Sequence, residues 1–143
     1  MMYKQKPDGF RSKFDIVSCF VEYNGEILLL HRHDHKPEGN TWGVPAGKVD
    51  SGEEPLQAIA RELQEETGIM AQPKDLIYFG KSYVRYPNFD FIYYVFHLPL
   101  KDRPRVMIRP DEHKDSIWVE PQKALKMNLI QDEDESIRIF YKI

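Results

Sequence analysis

Gly47-Lys-Val-Asp-Ser-Gly-Glu-Glu-Pro-Leu-Gln-Ala-Ile-Ala-Arg-Glu-Leu-Gln-Glu-Glu-Thr-Gly-Ile69 is the stretch on which the reading of this chain turns. Its second half predicts a helix over Pro55–Thr67. Leu56, Ile59, Ala60 and Leu63 recur at helical spacing and form one apolar stripe, Pro55 is tolerated in the first turn, and Gly68 is the expected stop. Glu62, Glu65 and Glu66 stand at i, i+3 and i+4 and so share a neighbouring side. Like charges at that spacing repel, and the helix dipole disfavours anions in the C-terminal half. Each such contact costs roughly a few tenths of a kcal/mol where exposed. Arg61 is the only cation among them. Divalent cations held by hard oxygen donors would remove the repulsion, and Mg²⁺ suits that ligand set. Taken alone, the three glutamates are more simply a solvated acidic helix face.

On the N-terminal side, Phe14–Tyr23 and Glu26–His31 read as strands around Asn24-Gly25, a strong hairpin signal. His33–Asn40 reads as a loop, and Trp42–Gly47 as a short extended piece with tight turns, since Pro45 keeps Val44 out of helix. On the C-terminal side, Leu76–Val84 and Phe89–Leu98 read as strands joined by a turn at Tyr86-Pro87-Asn88. The second is apolar on both faces, which suits a central, covered strand. Lys101–Arg105 is a polar connection, Ser116–Val119 a further strand, Pro121–Lys126 a short helix, and Asp132–Tyr141 a terminal helix with Ile137, Phe140 and Tyr141 inward. Interleaved strands and helices predict an α/β chain: a mixed sheet covered by helices on both sides.

The 143 residues fit one compact domain spanning 1–143. A net charge of −3 argues against a protein that lives on long nucleic acid, whose phosphates reward a basic patch. Cys19 is the only cysteine and lies in an apolar run, so no internal disulfide forms and the thiol is read as core. The N-terminus has no apolar signal segment and no apolar run is long enough to cross a bilayer, so a soluble, cytoplasmic protein is expected.

The segment Gly47–Ile69 resembles the Nudix box at every defined position, with Gly47, Glu53, Arg61, Glu62, Leu63, Glu65, Glu66, Gly68 and Ile69 filling those places in order. Trp42-Gly43-Val44-Pro45-Ala46-Gly47 looks like the usual lead-in. Glu112-His113 followed by Trp118-Val119 is similar to a downstream element of MutT-type members. The resemblance implies a Nudix-type α/β/α sandwich with a mixed curved sheet. It also implies an enzyme that uses Mg²⁺, or Mn²⁺ in its place, to cleave a phosphoanhydride bond in a small nucleotide substrate, and it admits a homodimer.

By the same resemblance, Glu65 and Glu66 are the first metal ligands, and Glu62 is either a further ligand or the general base. The carbonyl of Ala46 is a backbone ligand. Glu53 and Arg61 form a salt bridge tying loop to helix, or Arg61 instead orients a carboxylate. Glu112 matches a distal carboxylate for metal or base duty, or is a solvated loop acid, and Glu62 is preferred to it as base. His113 is read as a loop residue rather than a ligand. Arg32 matches a phosphate-contacting position, a task that suits guanidinium. Asn128, Asp132 and Glu133 fall where MutT-type members read the base, although acidic residues at a helix start are more simply explained by the dipole. Tyr86 lies near a tyrosine of dinucleoside polyphosphate hydrolases, while Pro87 sits later than the proline of ADP-ribose members. Tyr83, Phe89 and Phe91 are core aromatics by default. Substrates left open are a nucleoside triphosphate, a dinucleoside polyphosphate or a nucleotide sugar. A non-catalytic nucleotide-binding regulator on the same fold and an RNA-end hydrolase are the rival readings.

Overall fold

Asn24 (φ 52°) and Gly25 (φ 79°) both take left-handed backbone, the conformation that a two-residue hairpin turn demands and that glycine adopts without strain. They join strand β2 (Ser12–Tyr23) to β3 (Glu26–Arg32) in the computed structural model, which describes residues Met1–Ile143. The remaining strands are β1 (Met2–Tyr3), β4 (Trp42–Gly43), β5 (Ala46–Lys48), β6 (Ile77–Arg85), β7 (Asp90–Leu100) and β8 (His113–Val119). The helices are α1 (Pro55–Thr67), α2 (Pro121–Ala124) and α3 (Glu133–Tyr141). The sheet runs β1-β6-β7-β2-β3-β4, with β5 also paired to β2 and β8 to β3. The β2–β7 pair is parallel and the other strand pairs are antiparallel, so the sheet is mixed as expected.

Strand alternation divides the core into two layers. Val17, Cys19, Val21, Leu28 and Leu30 face α1, where they meet Ala58, Ile59 and Leu63. Phe20, Ile27 and Leu29 face the other way and meet Ala124 of α2 and Ile137 of α3. Helices thus cover both faces. Leu56 and Ala60 of the predicted stripe lie only partly buried at its margin. Gly68 is left-handed and its N–H donates to Gln64 O at 3.0 Å, closing α1 where expected. At the other end Gln57 Oε1 accepts from the Glu54 N–H at 2.9 Å, satisfying one donor the helix itself cannot. A third cluster, Met2, Val84 and Phe91 with Phe14, Phe89, Tyr86 and Tyr93 packed against it, lies apart from both layers.

Three departures have local causes. β8 begins at His113 rather than Ser116, because the polar run Asp111–Asp115 hides a strand paired with β3 through Arg32↔His113. β1 is only two residues long, too short for any periodicity, and pairs with the end of β6. Phe79 falls in a register shift between Tyr78 and Gly80, and its ring packs on Phe140 of α3 at 4.8 Å. No helix is long and apolar enough to cross a membrane. Ile137 is fully buried and joins α3 to the sheet. Ile137→Ala is expected to cost about 2–5 kcal/mol, read as a fall in the urea midpoint at unchanged slope.

Candidate active site

The lead-in Gly43–Gly47 carries a carboxylate on either side of Pro45. The Val44 N–H donates to Glu133 Oε1 at 2.7 Å, and the Ala46 N–H donates to Glu66 Oε1 at 3.0 Å. Ala46 pairs with Ser18 in the ladder, yet its N–H points away from β2 toward Glu66. In extended chain the N–H and C=O of one residue share a side, so the Ala46 carbonyl faces that side as well. Side chains crowd both flanking glycines. A Cβ on Gly47 would stand 2.1 Å from Glu62 Cδ, and one on Gly43 would stand 3.0 Å from Ile130 Cγ2 and 3.4 Å from Glu133 Oε1.

α1 separates its three carboxylates. Arg61 grips Glu53 with two hydrogen bonds (Nε to Oε2, 2.8 Å; Nη2 to Oε1, 3.0 Å) and also donates to the Lys48 carbonyl at 2.9 Å. This is the expected loop-to-helix tie, and it holds the Glu53 carboxyl down to about 2. Arg61 Nη1 additionally reaches Glu62 Oε1 at 2.8 Å and, at i,i+4 spacing, Glu65 Oε1 at 3.3 Å. Glu65 is exposed, while Glu66 is turned inward and only 7% exposed. Burial, followed by the nearby charge of Glu62, pushes the Glu66 carboxyl well above the ordinary range. Burial likewise raises Glu62, against the opposing pull of Arg61.

β8 supplies the distal group. Glu66, Glu112 and His113 each offer a ligand atom within 4.8 Å of the others. His113 is not a solvated loop residue: it is 6% exposed, and burial holds its imidazole below the usual range. Glu112 lies half-buried in the turn just before β8, beside Glu66 and His113. Two carboxylates beside a backbone carbonyl form a hard oxygen set with surplus negative charge, and that fits a divalent ion.

A cavity of about 570 Å³ opens beside this cluster, lined by Glu66, His113, Ala46 and Arg32 and walled by the third aromatic cluster. Arg32 enters it with Nε donating to Pro37 O at 2.9 Å. Asp132 and Glu133 line it too, whereas Asn128 does not. Asn128 instead ties the loop, its side-chain amide donating to Asn40 O at 3.3 Å and its backbone carbonyl accepting from the Trp42 N–H at 2.9 Å. Tyr86, Phe89 and Phe91 line the cavity; Tyr83 packs edge-on against Phe10.

Glu133 is more than a residue placed to suit a dipole. It is 4% exposed, its Oε2 has no hydrogen-bond partner, and burial raises its carboxyl to about 7 despite the Val44 N–H. Between about pH 4.5 and 7 the folded chain keeps protons on Glu133 that the unfolded chain has released, so stability falls as pH rises through that window. Glu66 acts in the same sense. In chelator-treated protein, Glu133→Gln should leave stability at pH 4 nearly unchanged and raise it at pH 8 by on the order of 1–3 kcal/mol. Urea midpoints at the two pH values measure both.

Residues 13–140 match the family model of the NUDIX domain. The CTP pyrophosphohydrolase of Escherichia coli K12 is 29% identical over 116 residues, covering 80% of this chain and 82% of that protein. The RNA pyrophosphohydrolase of Mannheimia succiniciproducens is 35% identical over 79 residues, but these cover 55% of this chain and only 37% of the relative. The solution structure of the E. coli ORF135 protein superposes with a TM-score of 0.77 at 25% identity, covering 95% of this chain and 94% of that one. The crystal structure of a MutT NUDIX hydrolase from Burkholderia pseudomallei gives 0.72 at 26% identity, covering 87% and 95%. A domain match over nearly the whole chain, and a box whose loop-to-helix tie and inward carboxylate sit beside an aromatic cavity, lead to one conclusion: the chain belongs to the Nudix family.

Proposed function

We propose that the protein is a divalent-metal-dependent pyrophosphohydrolase acting on a small nucleoside triphosphate. The observation that carries the proposal is Glu66, a carboxylate buried in the wall of a nucleotide-sized cavity with Glu112 and His113 beside it. A group so placed keeps its charge only opposite a cation. Glu66, Glu112 and the Ala46 carbonyl would hold the ion, with Glu65 approaching from the exposed side of α1. A divalent ion there would neutralise phosphate oxygens and lower the proton affinity of water beside it.

The chain's own groups do the rest. Arg32 is the guanidinium available for a phosphate oxygen. Glu62, raised by burial, takes a proton from the attacking water as the new P–O bond forms and the bridging P–O bond breaks. Arg61 fixes the direction of that carboxylate. Phe89, Phe91 and Tyr93 offer ring faces and edges to a base. Glu133 supplies an acceptor for a ring N–H or amino group, or a donor when it carries its proton.

The CTP pyrophosphohydrolase resemblance runs along most of both chains, which favours a free nucleotide. The RNA pyrophosphohydrolase resemblance keeps a triphosphorylated RNA end as the second reading. A hydrolysis screen with Mg²⁺ and Mn²⁺ over nucleoside triphosphates, dinucleoside polyphosphates, nucleotide sugars and a triphosphorylated oligonucleotide decides between them. Glu66→Gln should lose turnover by at least about a hundredfold while retaining the native circular dichroism spectrum; wild-type turnover with excess Mg²⁺ would overturn the assignment. Glu62→Gln should lower kcat/KM by roughly 10²-fold or more and flatten the acidic limb of its pH profile. A variant that keeps that limb removes Glu62 as the base.

A further inference from the structure

Of the cluster, Glu66 belongs to the box and Glu112 matches the distal carboxylate of MutT-type members, while His113 answers to neither expectation. Its side chain is buried and its Nδ1 has no hydrogen-bond partner. Buried ring nitrogens are ordinarily satisfied, and a bare one marks an atom meant for something else. Here the something else is close at hand, because the imidazole lies with the Glu66 and Glu112 carboxylates and lines the same cavity. The backbone holds it there firmly. The His113 N–H donates to Arg109 O at 2.9 Å, the His33 N–H donates to Glu112 O at 2.9 Å, and the irregularity in the β3–β8 ladder sets His113 opposite Arg32.

We infer that His113 gives an imidazole nitrogen to the divalent ion held by Glu66 and Glu112, creating a mixed nitrogen–oxygen shell that prefers Mn²⁺ or a later first-row metal to Mg²⁺. The inference rests on the metal-dependent reading above. Mg²⁺ demands oxygen donors and keeps its water, whereas imidazole binds first-row transition ions increasingly well along the series. A ring nitrogen already stripped of water meets no further desolvation cost on binding. An oxygen-only site would leave that nitrogen unsatisfied in the loaded state as well as the free one.

Pulsed electron paramagnetic resonance of Mn²⁺ added to the nucleotide-free protein tests this directly. The expected spectrum shows ¹⁴N modulation from a coordinated imidazole, which changes on ¹⁵N-histidine labelling and disappears in His113→Gln. In calorimetric titrations of the same proteins, His113→Gln should weaken Mn²⁺ about tenfold to a hundredfold and Mg²⁺ less than about threefold. Mn²⁺ bound without nitrogen modulation overturns the inference and leaves the metal-dependent reading standing. Failure to bind Mn²⁺ at millimolar concentration, with or without a non-hydrolysable nucleotide, overturns both. Modulation that persists in His113→Gln, or an equal loss of both metals, also defeats the assignment. The wild-type spectrum keeps the test open should the variant fold poorly.

Discussion

Five residues, Gly43 to Gly47, are held from both faces of the sheet at once. Glu66 of α1 accepts from Ala46, and Glu133 of α3 accepts from Val44. Only Pro45 separates those two amides, so carboxylates from helices in different layers converge on one short backbone segment. Each is taken out of water to do so, an unfavourable step offset only partly by one charge-assisted hydrogen bond. Both residues also line the cavity, and the second oxygen of Glu133 is buried without a hydrogen-bond partner.

The surroundings follow from that convergence. A side chain at 47 would meet the Glu62 carboxylate and displace it, and one at 43 would press on Ile130, so glycine at both ends leaves these groups where they stand. Arg61 then acts as a hub. By holding Glu53, Glu62, Glu65 and the Lys48 carbonyl together, it anchors the loop after β5 to α1 and offsets the charge of two of the three carboxylates. The repulsion inherent in the i, i+3, i+4 spacing is thus met in two ways: by a guanidinium on the outer side, and on the inner side by burial, which pushes the Glu66 carboxyl up.

Much of this was legible before any coordinates. α1 begins and ends where its periodicity, Pro55 and Gly68 put it, and the Asn24-Gly25 hairpin and the central, covered β7 follow from equally local signals. The Glu53–Arg61 tie came from the resemblance rather than from local pattern, and the geometry bears it out. What local pattern does not carry is which polar residues become buried. His113 stands in a run of charged residues that looks solvated, and only its pairing opposite Arg32 takes it inside. Glu133 looks like any acid at a helix start until Val44, 89 residues away in sequence, reaches its oxygen. Asn128 shows the converse: it lies outside the cavity lining, and its side-chain amide donates to the Asn40 carbonyl. Tertiary neighbours made these differences.

The register shift at Phe79 has a consequence beyond seating a ring on α3. β1 covers only the far end of β6, through Tyr83 and Val84, so the stretch from Ile77 to Lys81 is an open rim of the sheet, with Ile77, Tyr78 and Phe79 all substantially exposed. A straight apolar rim of that kind is a template for runaway strand addition. An extra residue in the middle breaks its hydrogen-bonding rhythm, and Lys81 would bring an uncompensated charge to any incoming backbone. The kink that fastens the last helix therefore also protects the molecule from its own neighbours in a concentrated solution.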